Sequence, residues 1–105
     1  MKKFIFAFIC IFSLTAQAEI LFFTREGCPF CMKAKEYITT NHPKNDIRLL
    51  DITQKENLNM FIECAKRFKL DEKKLGIPLI CAENDYIMGW NQEKQEKLQQ
   101  LLSKR

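Results

Sequence analysis

Two cysteines three residues apart, Cys28 and Cys31, enclose Pro29 and Phe30. One helical turn brings positions i and i+3 together, so two such sulfurs can join with little backbone movement. Proline is favoured at the first helical position, which makes Pro29 that position and Cys28 the cap before it. A thiol at the cap meets the free N–H groups of the first turn and the positive end of the helix dipole. Both favour thiolate, and a free-thiol pKa near 8.5 can fall to roughly 3.5–7.5 in such a place. Cys28 is therefore the expected attacking sulfur, exposed at the helix start. Cys31 lies a turn inward on the apolar face and is the expected resolving sulfur, which releases a mixed disulfide. Arg25, Lys33 and Lys35 are near enough in sequence to favour the thiolate, and Glu26 to oppose it.

Other chemistries also use such a pair. Structural zinc needs two further ligands at regular spacing. Cys64, Cys81 and His42 are scattered and form no second pair. A non-enzymatic module could instead hold a thiophilic metal such as Cu(I) through Cys28 and Cys31. A Cys-His nucleophile is excluded, because His42 falls at the far end of the helix that Cys28 begins, roughly 20 Å away at 1.5 Å per residue. His42 is expected at the surface, against that helix end. For Cys64 and Cys81 three readings stand: a structural disulfide, two buried thiols, or a second redox pair. The first requires Cα atoms within about 7 Å.

The chain has 105 residues with 17 basic and 13 acidic side chains, a formal charge of +4. That length allows one domain and excludes barrel enzymes and long repeat arrays. Five cysteines are an odd number, and the fifth, Cys10, lies in a leader. Lys2 and Lys3 begin it, Phe4 to Leu14 is apolar, and Ala16-Gln17-Ala18 is a small-residue processing site. Residues 1–18 thus read as a secretory signal peptide, too short in its apolar run to span a bilayer. Residues 19–105 are the expected mature domain, periplasmic or extracellular. Four cysteines remain there, in an oxidising compartment. The remaining charge is weak and evenly spread, which argues against nucleic acid as a partner.

The elements that must position the pair follow from periodicity. Ile20 to Thr24 fits a buried strand. Arg25-Glu26-Gly27 is a turn, and Cys31, Ala34 and Ile38 give the next helix its inner face, with Phe30 and Tyr37 beside it. Pro43 stops that helix. Ile47 to Ile52 is a second strand, and Thr53-x-x-Glu56 reads as a capping box. The helix behind it carries Leu58, Phe61, Ile62, Ala65 and Phe68 on one stripe, with Cys64 on its flank. A charged connector, Leu70 to Gly76, leads to a strand over Ile77 to Ala82. A turn and a short strand, Tyr86 to Gly89, follow as a hairpin. Asn91 can cap a last helix with Leu98, Leu101 and Leu102 inside. Strands alternating with helices favour parallel pairing for the first three. The fold class is α/β, β-α-β-α-β-β-α, a central mixed four-stranded sheet with helices on both faces.

Thr24 to Cys31 running into a helix, followed by Gly76-Ile77-Pro78 leading a strand, resembles the thioredoxin superfamily, and most of all the glutaredoxins. The resemblance covers nearly all of residues 19–105. It implies a thioredoxin-like, glutaredoxin-type fold with a cis bond before Pro78, which is uncommon enough to be a sharp expectation. It implies that Ile77 and Pro78 face Cys28 and pair backbone groups with substrate, beside Pro29 and Phe30. Phe30 stands where glutaredoxins typically carry tyrosine. Glutaredoxins usually follow the fourth strand with Gly-Gly, beside the glutathione site, whereas this sequence reads Met88-Gly89-Trp90-Asn91-Gln92. Trp90 argues against glutathione and suits a polypeptide partner, unless it simply packs under the last helix.

The implied function is an exported thiol–disulfide oxidoreductase acting on protein thiols and disulfides. A membrane redox protein is a candidate electron partner. No metal or organic cofactor is called for, since the disulfide carries the two electrons. The chain is expected to be a monomer. It has no room for the added domain of a dimeric isomerase, which favours oxidant or reductant.

Overall fold

A computed structural model describes residues 19–43 and 47–103. The leader expected over residues 1–18, with Cys10, lies outside the described residues. The chain order is β1 (Ile20–Thr24), α1 (Pro29–Asn41), β2 (Ile47–Asp51), α2 (Lys55–Arg67), a 3-10 turn (Glu72–Lys74), β3 (Leu79–Cys81), β4 (Tyr86–Met88) and α3 (Gln92–Ser103). The four strands form one sheet in the order β2-β1-β3-β4.

β1 is the centre because its side chains are apolar on both faces. Ile20 and Phe22 point to one side and join Ala34 and Ile38 of α1 and Leu98 and Leu102 of α3. Phe23 points to the other and joins Phe61 and Cys64 of α2 with Leu50, Leu79 and Cys81. Two helices therefore cover one face and one covers the other, and period-two alternation in β1 serves both cores. Phe23 and Phe61 meet edge to face at 5.5 Å.

β1 and β2 pair in parallel through the α1 crossover, Ile20 opposite Ile47 and Thr24 opposite Asp51. The parallel expectation fails for the third strand. β3 runs antiparallel to β1, with Phe23 opposite Leu79 and Leu21 opposite Cys81. The reason lies in the connector. α2 carries the chain back along the sheet and stops at a left-handed Lys69 (φ 57), where Leu70 N–H donates to Ala65 O at 2.8 Å. That six-residue closure ends a helix. The long segment from Phe68 to Pro78 then returns the chain to the end of the sheet from which α1 departs. β3 starts there and runs the opposite way. β3 and β4 form the expected antiparallel hairpin.

The start of α2 also differs from expectation. Thr53 does not cap it; Gln54 holds the cap position with no side-chain bond. Asp51 takes Thr53 instead, accepting from its N–H at 2.9 Å and its hydroxyl at 2.8 Å. The aspartate two residues earlier takes the Thr53 N–H that a capping box would give to Glu56, in an Asx-turn. Leu58, expected on the inner stripe, is exposed, and Cys64, expected on the flank, is buried within it. α3 starts as read, with Lys94 N–H donating to Asn91 Oδ1 at 2.8 Å.

Candidate functional site

The loop between β1 and α1 is short. Gly27 adopts φ +85, a left-handed conformation that a side chain would strain. The turn closes with Cys28 N–H donating to Arg25 O at 3.3 Å. This places Cys28 at the cap of α1 in an extended conformation, with Pro29 in the first turn. Cys31 N–H donates to Cys28 Sγ at 3.1 Å. The sulfur at the cap is thus the acceptor for a first-turn amide, the role usually held by an oxygen. Cys28 and Cys31 are joined as a disulfide, their Cα atoms 5.2 Å apart.

Exposure corrects one expectation. Cys28 is only 8% exposed and Cys31 1%. Cys28 is the more exposed of the two, as expected, but it is nearly covered rather than open at the helix start. Phe30, expected beside the inner face, points outward instead and is 54% exposed. Its ring carries Lys33 Nζ 6.0 Å from its centroid, so that lysine lies beside the aromatic.

The Ile77–Pro78 bond is cis. Strand register places Pro78 one step beyond the Phe23–Leu79 pair, next to Thr24 and at the end of the sheet that bears the Cys28 loop. Pro78 is fully buried. Its carbonyl accepts from Gly89 N–H at 2.8 Å, and Gly89 sits at φ +86. The turn after β4 is thereby fastened to the proline. Trp90, next in line, is half-buried against the α1/α3 core and lies 5.7 Å from the Tyr37 ring. It packs under the last helix rather than standing free as a contact aromatic.

Cys64 and Cys81 are also joined, with Cα atoms 6.6 Å apart. They are 4% and 1% exposed and lie on the α2 face of the sheet, away from the Cys28 loop. His42, expected at the surface, follows α1 as its C-terminal cap. It packs on the Tyr37 ring at 5.4 Å, and its Nε2 is buried without a hydrogen-bond partner among the described residues. Among the described residues no group of three or more His, Cys, Asp or Glu is placed to hold a metal ion.

Sequence reasoning missed a groove beside the disulfide. It holds about 540 Å3, and Cys31, Arg25, Met32, Lys35, Leu49 and Asp51 line it. Asp51 is held below the usual carboxylate range. The Thr53 backbone N–H is the main cause and its hydroxyl the next; burial opposes them, and the Arg25 charge adds the least. One signal for the groove was present. Ile47 and Leu49 alternate on one face of β2, and Leu49 extends beyond what α1 covers.

No protein-family model and no curated protein sequence matches the chain significantly. Among solved structures, the glutaredoxin (grx-1) from Archaeoglobus fulgidus superposes with a TM-score of 0.60 at 19% identity, covering 81% of this chain and 86% of that one. At that identity the likeness speaks of architecture. Joined to the strand order, the cis-proline and the cysteine pair at the start of α1, it gives the chain a thioredoxin-type, glutaredoxin-like fold.

Proposed function

We propose that the protein is a thiol–disulfide oxidoreductase that acts on protein disulfides outside the cytoplasm. The observation that carries this reading is Cys28 at the cap of α1, its sulfur accepting from Cys31 N–H while bonded to Cys31. When the disulfide opens, the same amide and the helix dipole stabilise the Cys28 thiolate.

The reaction then balances as follows. In the reduced protein, the Cys28 thiolate attacks one sulfur of a substrate disulfide, and the other leaves as a thiolate. Cys31 loses its proton to solvent and attacks Cys28 in the mixed disulfide. The Cys28–Cys31 bond forms, and the substrate leaves with both thiols and two more electrons. The reverse course donates a disulfide. The second, sealed disulfide supports the location, because such bonds persist in oxidising compartments. The leader expected from the sequence over residues 1–18 points the same way.

Reduction of insulin disulfides is the test. Cys28→Ser should lower the rate by about a hundredfold or more, and Cys31→Ser should accumulate a mixed disulfide with the substrate. Unchanged turnover in Cys28→Ser would refute the proposal. So would stoichiometric Cu(I) binding by the reduced protein without turnover.

A further inference from the structure

The central strand begins almost at the expected processing site. Ala16-Gln17-Ala18 ends the leader read from the sequence, and β1 starts at Ile20, so Glu19 alone separates the two. β1 is interior to the sheet, with β2 along one edge and β3 along the other. Ile20 is 1% exposed and pairs with Ile47. It belongs to the core that Ile38 of α1, Ile80 of β3 and Leu102 of α3 complete. Glu19 meets Arg48 at 3.5 Å, but an exposed pair of this kind holds weakly; Ile20 is the anchor. The first residues of a domain commonly fray and yield to proteases, unless a sheet ties them down. An edge strand could still peel away alone. β1 cannot, because Phe22 and Phe23, both fully buried, stand in opposite cores. Its withdrawal empties both cores and amounts to global unfolding.

We infer that the Ala18–Glu19 bond is open to a leader peptidase only while β1 stands outside the sheet, so that processing precedes folding and a precursor that folds first is locked against it. The step is a hydrolysis. The Ala18–Glu19 peptide bond breaks, and water supplies a hydroxyl to the Ala18 carbonyl and a proton to the Glu19 nitrogen. A peptidase takes such a bond in extended form, with chain on both sides of it in the cleft. The folded chain withholds everything from Ile20 onward. This rests on the leader expected over residues 1–18 and goes beyond it, by fixing the order of two events in the life of the chain. It does not depend on the redox reading of Cys28 and Cys31.

The test uses the full 105-residue precursor and a purified signal peptidase of Ala-x-Ala specificity, with mass spectrometry following the chain that starts at Glu19. Three precursors are compared. The first is the natural sequence, folded and oxidised before the peptidase is added. The second carries Phe22→Asp, which puts a charge into the core and keeps the sheet from closing. The third has a flexible spacer of about ten Gly and Ser residues between Glu19 and Ile20, which moves the bond clear of an intact sheet. Circular dichroism checks that the first and third are folded and the second is not. The second and third should be cut at similar rates. The first should be cut at least about a hundredfold more slowly, because cleavage then follows the small unfolded fraction. A folded natural precursor cut as fast as Phe22→Asp would overturn the inference. So would a folded spacer precursor that resists, since the obstruction would then lie elsewhere than at Ile20. If the Phe22→Asp precursor is not cut at Ala18–Glu19, the leader reading falls and this inference with it, while the redox reading stands.

Discussion

Asp51 binds the end of β2 to the start of α2 through Thr53, and its carboxyl is held below its usual value. A carboxylate whose folded pKa is depressed contributes stability above its unfolded value, near 4, and loses it as pH falls through the folded value. Asp51→Asn should therefore cost most at neutral pH. The gap in urea midpoint between the two proteins should close as pH drops from about 4 toward 2. A gap that stays constant with pH would mean that Asp51 acts by shape rather than charge. The same scale separates what residue type reveals from what it does not. The cysteine spacing and Pro29 disclose a capping sulfur, because both are local rules. The near burial of Cys28 is not local; it depends on what folds back over the loop, and no spacing within the helix records that.

The helices differ in how legible their ends are; α1 begins at Pro29 and ends before Pro43, as its two prolines imply. α3 shows its start through Asn91, whose side chain accepts from Lys94 N–H. Asn91→Ala should lower stability by about 1 kcal/mol, read as a shift in thermal or denaturant midpoint with no change in the redox reaction. α2 misleads at its start, since Thr53 and Glu56 satisfy the pattern of a capping box while Asp51 takes the threonine. Its inner stripe misleads as well, with Leu58 outside and Cys64 inside. The direction of β3 was hidden for a different reason. Strand polarity is set by how far the connector travels, and Phe68 to Pro78 is long enough to end at either side of the sheet. Only the cis-proline, fastened to Gly89 by 2.8 Å, marks which side it chose.

Across the whole molecule, two disulfides divide the labour. Cys28–Cys31 joins a loop end to the first turn of α1, with Cys31 beside a groove, whereas Cys64–Cys81 ties α2 to β3 within a core. The second should resist mild reductant while the first opens. Thiol trapping over time checks this, with two labels added early and the other two only on unfolding. Replacing both Cys64 and Cys81 with alanine should cost about 3 kcal/mol, the chain-entropy value for closing a loop of this size, measured by urea unfolding. A loss near zero would mean that the bond is incidental to the fold. The element order and the presence of helices on both faces were readable from alternation and helical stripes because they follow burial, whereas the strand order β2-β1-β3-β4 was not.

The sole tryptophan, Trp90, stands against Tyr37 on the α1/α3 face, while the Cys64–Cys81 bond lies on the other side of the sheet. Its fluorescence therefore reports on one layer only. Emission from Trp90, followed beside the release of the sealed thiols, lets the two faces of the sheet be watched as they melt separately or together. The fold thus carries its own optical gauge of cooperativity, with no label to attach.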